Sequence, residues 1–299
     1  MKKKIFSITA AILLTVFLSG CSKTSVEEPD SSEYIPVPTH AAPATEPPTE
    51  APTQPPADSI TPQEGIYVYD QSGIFSEEEE AELNEYMSGL YSGYLLNPAV
   101  VTIDHLGGAM PYAFVTNLYD TIYSGKGSGI ILLINNDTDT DSMYRTGSCN
   151  VFITDEEERK AFYLATQDMM SGGYIKAVRR LMTLAEQCPQ HVFDNINCLS
   201  TDDARRLDSE LAACKEEVSL LITSNGTETS NSDICRQYCK RKYPEDNGYM
   251  IMIDTVSKSV IIESGKDIPA DVKKALDSAK ASAEKENYVE AAEAVITVL

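Results

Sequence analysis

Gly129-Ile130-Ile131-Leu132-Leu133-Ile134 is a run of aliphatic and β-branched residues opened by glycine and closed by Asn135-Asn136. Its length, shorter than a helix needs, and its flanking punctuation read as a buried strand. The same pattern returns as Gly248-Tyr249-Met250-Ile251-Met252-Ile253. Working outward, Val68-Tyr69-Asp70, followed by Ser76 and Leu83, is echoed at equal spacing by Val192-Phe193-Asp194, Ser200 and Leu207. Tyr174-Ile175-Lys176-Ala177 is echoed by Tyr288-Val289-Glu290-Ala291. A repeat of order 100 residues exceeds a solenoid unit. It is domain-sized, so the chain reads as two copies of one fold.

Within the first copy, Ile66–Tyr69 reads as a short strand. Ser76-x-x-Glu79 reads as a capping box, and the acidic run Glu77–Glu80 as a solvated first turn favoured by the helix dipole. Ala99–Ile103 is a further strand. Pro111–Tyr123 is a helix with Phe114, Leu118 and Ile122 on one face. A hairpin through Asp137–Asp141 leads to a return strand, Ser142–Thr146. Thr154-x-x-Glu157 caps another helix, and a last helix carries Tyr174, Ala177, Val178, Leu181 and Leu184. The second copy repeats the order. Ser200 opens a helix, Val218–Ile222 and Tyr249–Ile253 are strands, Ser259–Glu263 is the return strand, and Pro269–Ala283 and Tyr288–Leu299 are helices. Helices alternating with short apolar strands define an α/β layered architecture. The expected organisation is a leader over 1–20, a tether over 21–63, and domains over 64–187 and 190–299.

The leader is Lys2-Lys3-Lys4, then a mostly apolar stretch ending in Leu18-Ser19-Gly20-Cys21. It has the flanks of a secretory signal and is short for a bilayer span. The run before Cys21 resembles the bacterial lipobox, which implies a lipidated Cys21 carrying palmitate-type acyl chains as the mature N-terminus. Several acyl chains give stable anchoring. The segment that follows, rich in Pro, Thr, Ala, Ser and Glu, buries too little apolar surface to fold. At roughly 3 Å per residue it reaches on the order of 100 Å. The expected location is the bacterial cell membrane, on its extracytoplasmic face.

The formal net charge is −22. Loss of the first 20 residues removes three lysines and no acid, which makes the chain more acidic still. Such charge excludes nucleic acid and direct adhesion to anionic lipid as partners. Cys149, Cys188, Cys198, Cys214, Cys235 and Cys239 remain after Cys21. An even set in an exported chain suggests disulfides, with fifteen possible pairings. Five of these six cysteines stand at or beyond Cys188, so the staples are expected in the second half. Cys235 and Cys239 share one helix face, but with His40, His105 and His191 the only histidines, a zinc set is disfavoured.

The first copy resembles a known family. Val68-Tyr69-Asp70-Gln71-Ser72-Gly73-Ile74-Phe75-Ser76, Val101-Thr102-Ile103-Asp104-His105-Leu106-Gly107, Gly127-Ser128-Gly129 with its strand, and Tyr144-Arg145-Thr146-Gly147 occur in the order of a TPM domain. The resemblance covers about 64–187 and, more weakly, 190–299. It implies two tandem three-layer α/β/α sandwich domains, each with a small mixed sheet, on extracytoplasmic, membrane-tethered proteins. The chain departs from the family after Arg145-Thr146-Gly147, where Ser148-Cys149-Asn150 replaces the usual continuation and its acidic residue. The second copy has Ile262-Glu263-Ser264-Gly265 there, without arginine.

Three activities follow as expectations. The resemblance implies a phosphatase, for which Lys126 and Arg145 are the candidate cationic clamps, with Asp70 beside them as a ligand-binding candidate. Asp137-Thr138-Asp139-Thr140-Asp141 does not match a haloacid-dehalogenase nucleophile loop, since Asn135-Asn136 separate it from the strand. Asp137, Asp139 and Asp141, with Asp104 as helper, are candidate ligands for a calcium ion, although Ser142 and Ser148 stand where an EF-hand needs Gly and Glu. The favoured reading is a non-catalytic interaction or assembly module whose partner is an envelope or membrane protein. His105 reads as a loop residue. Tyr86, Tyr91 and Tyr94 read as packing groups on the first helix and its exit.

Overall fold

The computed structural model describes residues 60–136, 140–225 and 230–299. Cys21, Asp137 and Asp139 lie outside the described residues. The first half runs β1 (Val68–Asp70), α1 (Glu77–Gly93), β2 (Asn97–Ile103), α2 (Pro111–Tyr123), β3 (Gly129–Asn135), β4 (Ser142–Thr146), α3 (Ser148–Phe152), α4 (Asp155–Met170) and α5 (Tyr174–Met182). A 3-10 turn over Thr183–Gln187 leads onward. The second half runs β5 (Val192–Asp194), α6 (Thr201–Ala212), β6 (Glu217–Thr223), α7 (Asn231–Lys242), β7 (Gly248–Asp254), β8 (Ser259–Ser264), α8 (Ala270–Ala283) and α9 (Tyr288–Ile296).

Each half builds one four-stranded sheet, ordered β1-β2-β3-β4 and β5-β6-β7-β8. The first three strands of each are parallel and the fourth is antiparallel. β2, β3 and β7 are buried along their whole length, as their unbroken apolar runs require of strands covered on both faces. In the first sheet Val100, Ile130, Leu132 and Ile134 pack with Leu83, Met87 and Leu90 of α1 and with α5. The opposite face, Ala99, Val101, Ile131 and Leu133, packs with Phe114, Val115 and Leu118 of α2. The second sheet repeats this. Leu220, Ile222, Ile251 and Ile253 meet α6, α8 and α9, while Leu221, Met250 and Met252 meet Cys235, Cys239 and Tyr243 in and beyond α7. These are two three-layer α/β/α units.

The layering has a topological consequence. β1, β2 and β3 step across the sheet in one direction, yet α1 and α2 cover opposite faces. The two crossovers therefore have opposite hands, although parallel crossovers are right-handed in about 98% of cases. β5-α6-β6-α7-β7 shows the same pairing of hands.

Smaller details also recur. Ser76 and Ser200 both cap their helices, accepting the amides of Glu79 and Asp203. Asp70 accepts the amide of Phe75 at 2.8 Å, and Asp194 accepts the amide of Leu199 at 2.8 Å, five residues on in each case. Gly129 and Gly248 open equivalent strands where the rings of Tyr119 and Tyr243 lie against the backbone, and a Cβ at either position would collide with that ring.

One buried cluster runs through both units without interruption, from Leu83 and Leu132 to Ile251 and Val295. A polar tie reinforces it. Arg241 of α7 donates Nε to the Tyr91 carbonyl at 2.7 Å and Nη1 to Asn97 Oδ1 at 3.1 Å, and Nη2 to the Leu96 carbonyl. Lys242 donates to the Gly93 carbonyl.

The cysteines depart from expectation. All six described cysteines are free thiols. The close pair is Cys149 and Cys188, buried with sulfurs 3.7 Å apart, which ties α3 of the first unit to the segment after its 3-10 turn. Cys235 and Cys239 share a face of α7, but their thiols turn to different carbonyls, those of Met250 and Glu263.

Candidate functional site

The sequence-derived candidates separate into three places. Asp70 ends β1 at the carboxyl edge of the first sheet. Both of its oxygens are engaged: one accepts the Phe75 amide in the turn into α1, the other the Thr102 hydroxyl of β2. The matching bond of Asp194 marks this as scaffold chemistry. Nearby, Ser72 Oγ is buried without a hydrogen-bond partner.

The same edge gathers Asp104 and Asp141 around the turn after β3. Asp141 Oδ1 accepts the Asn135 amide at 3.0 Å, and Asp104 Oδ1 accepts from Asn136 Nδ2 at 3.3 Å. Among the described residues, no three His, Cys, Asp or Glu side chains converge as a metal set. The two remaining candidate ligands are the ones outside the described residues.

Arg145 is on β4 opposite Ile130, and Asp141 lines the pocket that it borders. This pocket of about 500 Å³ is walled by Tyr112 of α2, Met143, and Glu158 and Phe162 of α4. The Arg145 guanidinium is already held. Nη2 lies 2.7 Å from Asp155 Oδ1, Nε lies 2.6 Å from Glu158 Oε2, and Nη1 donates to the Ile153 carbonyl. Arg145 side-chain exposure is 10%, so this is a buried cation with two carboxylate partners, an arrangement that burial requires. Burial pushes the Glu158 carboxyl up, and the neighbouring Arg145 pulls against that shift. Sequence reasoning missed Asp155 and Glu158 as partners. Their signal was the three-residue spacing at a helix start, which puts both carboxylates on one face just after the arginine strand.

Lys126 occupies a third place, the loop between α2 and β3, where it is exposed. It borders a crevice between the two units, far along the sheet from the edge that carries Asp70. Asp70, Lys126 and Arg145 therefore do not form one site.

A four-stranded mixed sheet between helical layers, with an arginine on its last strand, defines the class of the first unit as a layered α/β/α domain. Residues 68–160 match the TPM domain model. No curated protein matches the chain. Among solved structures, the N-terminal domain of a P. gingivalis protein is similar at 18% identity and a TM-score of 0.38, covering 41% of this chain and 82% of that one. The N-terminal domain of a Corynebacterium glutamicum protein is similar at 16% identity and a TM-score of 0.33, covering 43% of this chain and 81% of that one.

Proposed function

We propose that the protein is a lipid-anchored, extracytoplasmic interaction module that assists the assembly or maintenance of envelope or membrane proteins. The observation that carries this reading is the surface around the Arg145 pocket. Arg145 there is neutralised by Asp155 and Glu158, while Tyr112 is 61% exposed at the pocket wall and Tyr163 is 67% exposed on α4. Met110 and Met170, at the ends of the same helices, are also exposed. Exposed aromatic and thioether side chains beside a neutralised cation suit contact with another protein. Arg145 has two carboxylates where a phosphoryl group would need a free cation, which leaves Arg159 as the pocket cation without an ion pair among the described residues.

The test is cross-linking and co-purification from membranes of the native host, comparing wild type with a Tyr112→Ala, Tyr163→Ala double variant. A partner recovered reproducibly with wild type and at least tenfold less with the variant is expected. Recovery of no reproducible partner sinks the reading. Anchoring is tested separately: Cys21→Ser should move the protein from the membrane to the soluble fraction.

Calcium binding is the second reading, supported by Asp104 and Asp141 meeting at the Asn135-Asn136 turn. Calorimetry with calcium should give heat that Asp139→Ala abolishes; identical heats reject the site.

A further inference from the structure

The crevice between the units is built from unlike parts. Its floor lies outside the carboxyl ends of β5 and β6, at Asn195 and Thr223. Those two strands send their following helices, α6 and α7, to opposite faces of the sheet. Adjacent strands with that divergence leave an opening where ligands of open α/β sheets bind. The first unit closes the opening with the loop Gly125-Lys126-Gly127, and Tyr91 and α7 form the flank. The volume is about 640 Å³, within the range of small-molecule sites.

Arg241 stands in this wall. It is sandwiched on the rings of Tyr91 and Tyr238, at 3.4 and 6.0 Å from their centroids. Burial pulls its pKa down, and the groups acting on its charge are phenols, with no carboxylate among them. No described carboxylate forms an ion pair with it, in a chain of net charge −22. Buried charges are ordinarily paired, and the other deeply placed arginine, Arg145, has two carboxylates. Three of the five N–H groups of Arg241 go to Tyr91, Asn97 and Leu96, leaving one on each terminal nitrogen. Lys126 adds a second cation at the mouth and is in no ion pair among the described residues. The acid beside that loop is Asp120, which packs against Gly125.

We propose that this crevice binds a small ligand through a single carboxylate, received by Arg241 and Lys126. Two remaining N–H donors match the two oxygens of a planar carboxylate. Gln237 offers an amide, and Tyr238, whose hydroxyl accepts from Asn195 Nδ2, offers its ring edge and its own O–H to a neutral hydrogen-bonding body such as a sugar ring or peptide unit.

The experiment is calorimetric titration of the detergent-solubilised full chain with glucuronate and with acetylated dipeptides bearing a free C-terminus. Glucose, the corresponding dipeptide amides and inorganic phosphate are run beside them. Saturable binding of at least one carboxylate is expected, with its neutral counterpart and phosphate at least tenfold weaker. Lys126→Ala should weaken that carboxylate at least fivefold with an unchanged thermal midpoint, since Lys126 is exposed. Arg241→Lys should abolish it, and a thermal scan shows whether that variant is folded. The proposal is overturned by no carboxylate binding, by binding unchanged in Lys126→Ala, or by phosphate or the neutral analogues binding as well as the carboxylate.

Discussion

The two units agree in their scaffold and disagree in their charges. Both lock the turn after their first strand with an aspartate, cap the next helix with serine, and lay a tyrosine ring over the glycine that opens the third strand. They part at the return strand. Arg145 pairs across from Ile130, one residue beyond Gly129; Ser264 pairs across from Tyr249, one residue beyond Gly248. Ser264, rather than Glu263, thus stands in the place of Arg145, and its hydroxyl bonds the Gly248 carbonyl. The buried ion-pair set of the first unit has become a neutral bond in the second. Groups that hold the backbone recur in both units, whereas groups that set the local charge do not.

The comparison is broken most forcefully at the shared core. Leu132→Ala and Ile251→Ala remove equivalent buried side chains, one from each unit. Each should cost about 2–5 kcal/mol. Because one cluster spans both units, denaturant unfolding followed by tyrosine fluorescence and circular dichroism should remain a single transition in each variant. Two resolved transitions would mean that the units fold independently.

Arg241→Met tests the tie directly. It leaves the Leu96 and Tyr91 carbonyls and Asn97 Oδ1 without their donor, at about 3 kcal/mol. Here the transitions of the two halves should separate. A midpoint within error of wild type would show that the tie is dispensable.

The caps are a finer instrument. Ser76→Ala in the first unit and Ser200→Ala in the second should each cost about 1 kcal/mol. Costs that differ by more than that amount would end the equivalence of the two helices.

The smallest effect is on pH dependence. Burial raises the Cys239 thiol to about 11, above its ordinary value of 9.0, and pushes the buried Cys235 thiol up as well. A raised thiol contributes stability that is complete below pH 9 and is lost as pH climbs through the folded value. Lys242 runs the other way: burial lowers it to about 8 from 10.5, so the folded state is relieved of a desolvated charge between those values. Urea midpoints should rise slightly from pH 8 to 9 and fall beyond. Lys242→Met should abolish the rise while keeping the fall.

The scaffold was largely legible in the sequence because its signals are local. Pro111 to Tyr123 reads directly as a helix, and that is the span observed. Ser76-x-x-Glu79 and Thr154-x-x-Glu157 form their capping boxes. Four strand runs needed at most one residue added at each end, whereas Ala99–Ile103 begins two residues earlier at Asn97 and Ile66–Tyr69 shifts to Val68–Asp70. Short α3 was not legible, since five residues carry no period. The partners of Arg145 were hidden inside what reads as an ordinary acidic first turn. Arg241 was invisible as a tie because its acceptors are backbone carbonyls and one amide about 150 residues away, and carbonyls have no sequence signature. The proximity of Cys149 and Cys188 was not legible, because the cysteine count says nothing of distance.

The strand order of each sheet is also the order in which the strands leave the ribosome. No strand waits for a distant one to be made, and every ladder closes across a single helix or hairpin. Such nearest-neighbour pairing keeps loop-closure entropy low and favours fast folding. A chain delivered vectorially, amino end first, could finish its first sheet before its second exists, and the uninterrupted core would then be completed by the later half docking on a surface already formed.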